Sequence, residues 1–328
     1  MGIAVGTGTV PPIAVEVVRG GRVESVHRAH VALVDSTGKV LAGVGDPQVE
    51  VYPRSALKPL FAVAMLRAGL SLSRPDHVAL AASSHSGEPI HVETALAMLA
   101  EAGCSEADLR NTPGWPYDEK ARIAWIAAGG EKTRVHANCS GKHSAMVATC
   151  VANGWPRADY LQPGHPLVAA LAVGLAAQVG VKLSEPAVDG CGAPVWMIPL
   201  AALATGFARL AQAAPGTPER TVADAMRDNP EFVGGTRRDV TEIMRNLPGV
   251  VAKDGADGVY AAGLADGRGL AVKVEDGGTR AMPATMAAAL IGAGLDASAL
   301  APVLGWEQVL GGGEPAGEYR ARISLADR

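Results

Sequence analysis

The stretch VALVDSTGKVLAGV, residues 31–44, is the part of the chain that decides the fold. Two short apolar runs, 31–35 and 40–44, enclose the polar tetrapeptide STGK, which is typical of a turn between paired strands. The pattern recurs near the other end of the chain, where the apolar runs 258–263 and 269–275 have the turn sequence DGR between them. The sequence therefore predicts two β-hairpins, one in each terminal part of the chain.

Helical patterns fill most of the sequence between these hairpins, and several of them carry proline at an early position, as suits a helix N-terminus. They cover the segments 55–68, 91–102, 142–153, 166–179, 194–213, 218–227 and 236–246. Strands at both ends with helices between them predict an α+β fold, in which one antiparallel sheet of N- and C-terminal strands carries a helical lobe. We expect a single domain, 1–328, with a sheet lobe over about 1–54 and 248–328 and a helical lobe over about 55–247.

The composition excludes several classes of protein. Hydrophobic residues make up 48% of the 328, enough for a substantial buried core. The formal net charge is -4, and no cluster of Lys and Arg interleaves with aromatic residues, which argues against a nucleic-acid partner and favours a small-molecule substrate. No stretch has the roughly 20 uninterrupted apolar residues of a membrane helix. The first twenty residues lack the pattern of a secretory signal, and four cysteines are too few for a disulfide scaffold, so we expect a cytoplasmic location.

The run RSALKP, residues 54–59, places a serine hydroxyl and a lysine amine three residues apart at a predicted helix start. Residues i and i+3 share one face of a helix, so the amine of Lys58 can reach the hydroxyl of Ser55. A desolvated lysine that is partly neutral near pH 7 can take the hydroxyl proton and so make the serine a nucleophile. The alternative interpretation is a solvated lysine beside a capping serine.

Two further polar segments precede predicted helices. The loop SSHSGEP, residues 83–89, can present a hydroxyl to a substrate, or it can be an ordinary turn with a serine cap. The run HANCSGKH, residues 136–143, gathers a thiol, an amine and an imidazole at a helix start, where thiols are acidified and anions bind. Its alternative interpretation is a helix entry whose polar groups face water.

The segment VDGCGAP, residues 188–194, has a glycine on each side of Cys191, and this backbone freedom allows the thiol to point into a cleft. If Cys191 meets Cys139, two thiolates and a further ligand would hold zinc, although no familiar zinc spacing occurs in the sequence. Lys273 lies inside an apolar strand, which indicates either a function or simple alternation on a half-exposed strand.

Taken in order, the runs 54–59, 84–88, 138–143 and 189–192, together with Lys273, resemble the rhizobial-type, or class 3, L-asparaginases of the asparaginase II family. The resemblance spans almost the whole chain. It implies hydrolysis of L-asparagine to L-aspartate and ammonia, on a fold similar to the serine β-lactamases and glutaminases. It also implies a homodimer.

The resemblance further implies two Ser-Lys pairs in the active site. One is Ser55 with Lys58, and the other is Ser84 with Lys273. The loop that contains Ser84 also holds Ser83 and Ser86, so the choice of its serine rests on the motif alone.

A zinc ion is the cofactor that the resemblance implies, held by Cys139, Lys142 and Cys191. A lysine ligates only as a neutral amine, so the metal must depress the pKa of Lys142.

Arg54, His143 and Asp189 are our candidates for binding the α-carboxylate and α-ammonium groups of the substrate. Arginine suits the carboxylate because its donors are paired.

Three alternative functions remain open from the sequence. A penicillin-recognising acyl-serine hydrolase also uses Ser-x-x-Lys, but the Lys-Thr-Gly strand motif of those enzymes is missing. A zinc-dependent sensor would bind an amino acid without hydrolysing it. A glutaminase would differ only in accepting a side chain longer by one methylene, and a pocket discriminates such a difference by only about 1 to 3 kcal/mol.

Overall fold

The computed structural model describes residues 10–325 of the chain. Residues 1–9 and 326–328, which belong to the predicted sheet lobe, lie outside the described residues. Residues 1–9 are also the first part of the segment that is expected to lack a secretory signal. The strands are β1 (Ile13–Arg19), β2 (Arg22–Val34), β3 (Val40–Val44), β4 (Glu50–Val51), β5 (Ala187–Val188), β6 (Pro194–Val195), β7 (Ile198–Pro199), β8 (Val251–Asp254), β9 (Val259–Gly263), β10 (Gly269–Val274), β11 (Val309–Gly311) and β12 (Glu314–Ala321).

Most of the helices lie between β4 and β8, and two follow β10. They are α1 (Lys58–Arg67), α2 (Pro75–Ala81), α3 (Pro89–Glu101), α4 (Glu119–Ala127), α5 (Ser140–Ala152), α6 (Pro166–Val179), α7 (Leu200–Ala211), α8 (Pro218–Asp228), α9 (Pro230–Val233), α10 (Asp239–Asn246), α11 (Met282–Gly292) and α12 (Ala297–Leu304). No helix within residues 10–325 is long and apolar enough to cross a membrane.

The main sheet is antiparallel, with the strand order β11-β12-β1-β2-β10-β9-β8, and β3 pairs with the edge of β2 opposite β10. Both predicted hairpins are confirmed: β2 pairs with β3, and β9 pairs with β10. The N-terminal strand β2 lies directly against the C-terminal strand β10, so the two ends of the chain build one sheet. The predicted α+β class, with a single antiparallel sheet of N- and C-terminal strands, is therefore confirmed.

Helix α7 packs against β2, β9 and β10, and glycines in the sheet allow its close approach. A Cβ atom on Gly269 would lie 1.9 Å from the carbonyl oxygen of Ala204, and one on Gly263 would lie 2.1 Å from that of Phe207. Any larger residue at these two positions would push the helix off the sheet. Since α7 belongs to the predicted helical lobe and yet covers the sheet, the division of the domain into two lobes stays a prediction.

Three predicted helices begin later than the sequence indicated. The helix predicted over 55–68 becomes an α-helix only at Lys58, because Arg54–Leu57 forms a 3-10 turn. The prediction of one helix over 194–213 is wrong for its first residues, which form β6 and β7, because Pro199 is extended with ψ of 142°. The helix predicted over 236–246 begins at Asp239, because Arg238 is extended with φ of -137° and ψ of 139°. This extended residue lines the cavity of the candidate active site.

Candidate active site

The run 54–59 forms a tight 3-10 turn, Arg54–Leu57, that leads directly into α1. Arg54 has φ of 54°, in the left-handed region that residues other than glycine rarely use. Gly255 packs against this turn, and a Cβ there would lie 2.6 Å from the carbonyl oxygen of Pro53. Backbone strain of this kind persists only where the surroundings enforce it, and it clusters at functional sites.

A cavity of about 540 Å³ opens beside this turn, and both predicted active-site serines, Ser55 and Ser84, line it. Asn138, from the polar run before α5, and Asp254, at the end of β8, also line it. The volume falls within the range of about 300–1,000 Å³ that is usual for small-molecule sites. The structure thus brings three of the sequence motifs to one cavity.

Lys58 is 2% exposed, and its Nζ donates a hydrogen bond to Ser84 Oγ at 2.9 Å. The expected hydrogen bond from Lys58 to Ser55 is therefore replaced by one to the serine of the 83–89 loop. Ser55 lies in the 3-10 turn that precedes α1, whereas Lys58 is the first residue of α1.

Burial lowers the pKa of Lys58 to about 7, and the ammonium groups of Lys142 and Lys253 act in the same direction. The nearby thiols of Cys139 and Cys191 oppose this effect. The amine of Lys58 is consequently half neutral near neutral pH, as a general base requires.

The contacts of the 83–89 loop distinguish its three serines. Ser86 Oγ donates to the carbonyl oxygen of Gly234 at 2.9 Å, and Ser83 is fully buried with no hydrogen-bond partner for its hydroxyl within the described residues. Ser84 alone of the three both lines the cavity and contacts Lys58. His85 holds the loop in place, because its Nε2 shares a hydrogen bond of 2.8 Å with Ser140 Oγ at the start of α5.

Lys273 does not meet Ser84. It is half-buried on β10, and its Nζ donates to the backbone carbonyl oxygen of Asp257. Within the described residues Ser84 Oγ accepts a hydrogen bond from Lys58 and none from Lys273, so the structure does not show the predicted pairing of Ser84 with Lys273. The apolar surroundings of Lys273 in the sequence reflect its place in a central strand of the sheet.

Lys253, on β8, is the lysine that the sequence analysis missed. It is 0% exposed, and its Nζ donates to Asp254 Oδ1 at 2.5 Å and to the Asp254 carbonyl oxygen at 2.6 Å. Burial lowers its pKa, although Asp254 opposes this effect. The signal that marks it is the sequence Lys253-Asp254-Gly255 at a strand end, which differs only in its middle residue from the Lys-Thr-Gly motif of Ser-x-x-Lys enzymes.

Asp254 also forms an ion pair with Arg238, whose NH2 lies 2.6 Å from Asp254 Oδ2. Although burial opposes it, Lys253 and Arg238 hold the pKa of Asp254 well below its usual range, so the carboxylate is charged. Burial and the charge of Asp254 raise the pKa of the neighbouring Asp239 to about 6. The guanidinium of Arg238 stacks over Tyr117, 4.8 Å from the ring centre.

A second group of polar side chains, which we name the sulfur cluster, consists of Cys139, Lys142, His143 and Cys191. One ligand atom from each of its two thiols and its imidazole lies within 4.8 Å of the other two, and Lys142 Nζ donates to Cys191 Sγ at 3.1 Å. The first three members lie at the N-terminus of α5. The fourth is presented by a turn closed by a hydrogen bond of 2.8 Å from Gly192 N to the carbonyl oxygen of residue 189.

His143 was expected to bind substrate, but the structure places it in the sulfur cluster. It is fully buried, and its Nδ1 shares a hydrogen bond of 2.8 Å with the hydroxyl of Tyr160. Its Nε2 is buried with no hydrogen-bond partner within the described residues. Histidines that ligate metals in proteins have this arrangement, in which a hydrogen bond fixes one ring nitrogen and the other nitrogen is free to bind the metal.

The electrostatics of the sulfur cluster favour a thiolate at Cys191. A hydrogen bond with Cys139 lowers the pKa of the Cys191 thiol strongly, and the Lys142 ammonium acts in the same direction. In return, the sulfurs raise the pKa of Lys142 even though burial opposes this. In the absence of a metal, Cys191 and Lys142 therefore form a buried ion pair.

Arg54 and Asp189, both expected to bind substrate, lie in contact. Arg54 Nε donates to Asp189 Oδ1 at 2.5 Å, and a terminal nitrogen of the same guanidinium pairs with Asp257, which lines the cavity. Neither Arg54 nor Asp189 lines the cavity itself, but Arg54 contacts it through Asp257. The pair offers one positive and one negative group, the combination that the charged end of an amino acid requires.

The L-asparaginase II family matches residues 15–321, nearly the whole chain. This match makes the chain a hydrolytic amidase of the asparaginase type, a class that acts on a small-molecule substrate. The chain belongs to the L-asparaginase II family, in agreement with the resemblance seen in its motifs. A comparison with curated proteins finds no significant match.

Several solved structures are similar to this one at low sequence identity. A β-lactamase from Mycobacterium bovis has 16% identity and a TM-score of 0.42, covering 76% of this chain and 88% of that chain. A β-lactamase from Desulfarculus baarsii has 17% identity and a TM-score of 0.31, covering 76% and 82%. The protein Mglu has 17% identity and a TM-score of 0.35, covering 81% and 66%.

Proposed function

We propose that this enzyme hydrolyses L-asparagine to L-aspartate and ammonia through an acyl-enzyme on a serine. The observation that carries the proposal is the buried Lys58, with a pKa of about 7, hydrogen-bonded to Ser84 at a cavity that Ser55 also lines. An amide is a poor electrophile, so its hydrolysis needs an activated nucleophile and an acid for the departing amine. One lysine that titrates near neutral pH can serve as base and then as acid.

In the proposed mechanism, Ser55 Oγ attacks the amide carbon, and its proton passes through the Ser84 hydroxyl to Lys58 Nζ. The tetrahedral intermediate collapses, the C–N bond breaks, and Lys58 returns the proton to the leaving ammonia. Water then attacks the ester with Lys58 again as base, which releases aspartate and restores Ser55. The positive charge of Lys253 opposes protonation of Lys58 throughout, since like charges repel.

Arg54 and Asp189 are proposed to hold the charged end of the substrate. The guanidinium of Arg54 would bind the α-carboxylate in place of Asp257, and the carboxylate of Asp189 would accept the α-ammonium. His143 is not part of this proposal, because it is buried in the sulfur cluster.

We propose that the sulfur cluster binds zinc. Two sulfurs and the unpartnered Nε2 of His143 lie close together, and this donor set matches the preference of zinc for sulfur and imidazole nitrogen. Lys142 would complete the set as a neutral amine after losing its proton. When bound, zinc would supply positive charge near the substrate end of the cavity. A homodimer and a cytoplasmic location likewise remain predictions of the resemblance and of the cysteine content.

The test is ammonia release from L-asparagine and from L-glutamine by the wild type, by Ser55→Ala and by Ser84→Ala, with circular dichroism to verify folding. We expect release from asparagine that both substitutions abolish. Rapid acid quench and mass spectrometry should find the aspartyl group on Ser55. An aspartyl group on Ser84 would exchange the roles of the two serines, and full activity in Ser55→Ala would overturn its role as nucleophile. Binding of asparagine without any ammonia release would instead support a sensor.

A further inference from the structure

The two buried lysines of the active site have partners of opposite kinds. Lys58 Nζ contacts a hydroxyl, Ser84 Oγ, which can accept from an ammonium or donate to a neutral amine. Lys253 Nζ contacts a carboxylate oxygen and a carbonyl oxygen of Asp254, and both can only accept. The negative charge of the Asp254 carboxylate therefore favours the ammonium form of Lys253, whereas the neutral hydroxyl partner of Lys58 tolerates either form.

Asp254 lies between two buried cations. Its Oδ1 accepts from Lys253, and its Oδ2 accepts from Arg238, so both carboxylate oxygens are used. Charge-assisted hydrogen bonds of this kind are stronger than neutral ones, and a buried charge is stable only when it is paired in this way. Removing this carboxylate would leave two positive charges in one buried region without compensation.

We propose that Asp254 is a positioning residue that gives the two lysines different protonation states: it keeps Lys253 as the ammonium, whereas Lys58, which contacts a hydroxyl instead of a carboxylate, can be neutral and act as the base. The kinetic consequence rests on the proposed function, whereas the protonation of Lys253 does not. In many active sites the environments of two titratable groups move their pKa values apart, so that one group serves as the acid and the other as the base.

The other charged groups around this carboxylate come from three elements. Arg238 and Asp239 face it from the beginning of α10, Lys58 from α1, and Tyr260 lies near it on β9. Burial lowers the pKa of both lysines, but only Lys253 has a carboxylate in contact that opposes the effect. The negative charge of Asp254 raises the pKa of Lys58, and the positive charge of Lys253 lowers it. Loss of both charges together would therefore change the pKa of Lys58 little.

The kinetic test is the pH profile of kcat/KM for Asp254→Asn. The active form of the enzyme has Lys58 neutral and Lys253 as the ammonium, so the alkaline limb follows the loss of the Lys253 proton. Without the carboxylate the pKa of Lys253 falls, and this limb should move down by at least about one pH unit, while the acid limb set by Lys58 stays nearly in place. Asp254→Glu should restore the alkaline limb. The matched control is Asp257→Asn, which removes a carboxylate from the same cavity without touching Lys253 and should leave that limb unmoved. An unmoved alkaline limb in an active Asp254→Asn enzyme would overturn the proposal.

A second measurement does not depend on activity or on the folding of that variant. In wild-type protein labelled with ¹⁵N-lysine, a slowly exchanging ammonium signal should persist at pH 8.5 and be missing from Lys253→Met. Absence of such a signal from the wild type would contradict the proposal. Failure of the wild type to hydrolyse asparagine, with the signal present, would contradict the proposed function and leave the protonation of Lys253 supported.

Discussion

The serines of the cavity and the side chains of the sulfur cluster both influence Lys58, and they differ in their access to the cavity. Ser55 and Ser84 line an open cavity, whereas neither the cysteines nor the lysine and histidine of the sulfur cluster line it. Both groups still act on Lys58: Ser84 accepts its hydrogen bond, while the ammonium of Lys142 lowers its pKa and the thiols raise it. The difference shows that burial serves two purposes: it tunes a base beside the open cavity, and it gathers the thiols, amine and imidazole that we propose to bind zinc.

The largest effect should follow from Lys58→Met. Methionine keeps the apolar length of the buried side chain but has no amine to accept the serine proton, so kcat should fall by about 10² to 10⁴. The measurement is steady-state ammonia release, with thermal unfolding to verify the fold. The matched control is Lys273→Met, which removes a lysine that does not contact the cavity serines, and its kcat should stay within about twofold. A larger loss in Lys273→Met than in Lys58→Met would restore the pairing predicted from the sequence.

The pH dependence of wild-type activity should reveal the same base. Lys58 acts as its neutral amine, and its pKa is lowered to about 7, so the neutral fraction falls as the pH drops below that value. kcat/KM should therefore decrease about tenfold per pH unit below 7, which makes activity at pH 5 roughly a hundredth of the plateau. A profile of kcat/KM against pH checks this. An acid limb with its midpoint near pH 4 would point to a carboxylate base instead.

The sulfur cluster should have a smaller effect on catalysis and a large one on metal content. Cys191→Ser removes the thiolate that pairs with Lys142, so bound zinc, measured by plasma mass spectrometry, should fall from about one per chain to near zero. kcat/KM should fall by about 10 to 100, the usual cost of disturbing a metal site. Cys104→Ser removes a cysteine outside the cluster and should keep the zinc. Equal zinc in both variants would contradict the proposed metal site.

The sequence alone predicted the parts of the fold that depend on local chemistry. The two hairpins follow from polar turns between short apolar runs, and the start of α1 follows from RSALKP. Helix α4 was missed because none of its residues is buried, so it has no apolar periodicity to detect. The strands β6 and β7 were read as helix because they are only two residues long and precede α7 without a gap in apolar character.

The parts of the site that depend on long-range contacts were harder to predict. Lys253 and Lys273 both lie in apolar strands, so the local sequence does not tell which of them reaches the active site. The sheet register distinguishes them, because Lys253 pairs with Ala261 on β9, whereas Lys273 pairs with His30 on β2. The role of His143 depends on a turn nearly fifty residues away that brings in Cys191. No local pattern contains this information.

The smallest predicted effects on kcat are those of substitutions at Ser83 and Ser86 in the 83–89 loop. They test whether Ser84 is the catalytic hydroxyl of this loop. In Ser86→Ala the carbonyl oxygen of Gly234 loses its buried donor, so the free energy of unfolding should fall by about 1 to 3 kcal/mol, while kcat stays within about twofold. Ser83→Ala should be neutral or stabilising, because the buried Ser83 hydroxyl has no hydrogen-bond partner within residues 10–325. Urea unfolding and ammonia release measure the two quantities. If Ser86→Ala lost as much activity as Ser84→Ala, the effect on catalysis would not depend on contact with Lys58. Such a result would mean that the serines of the loop affect activity together, through the position of the whole loop.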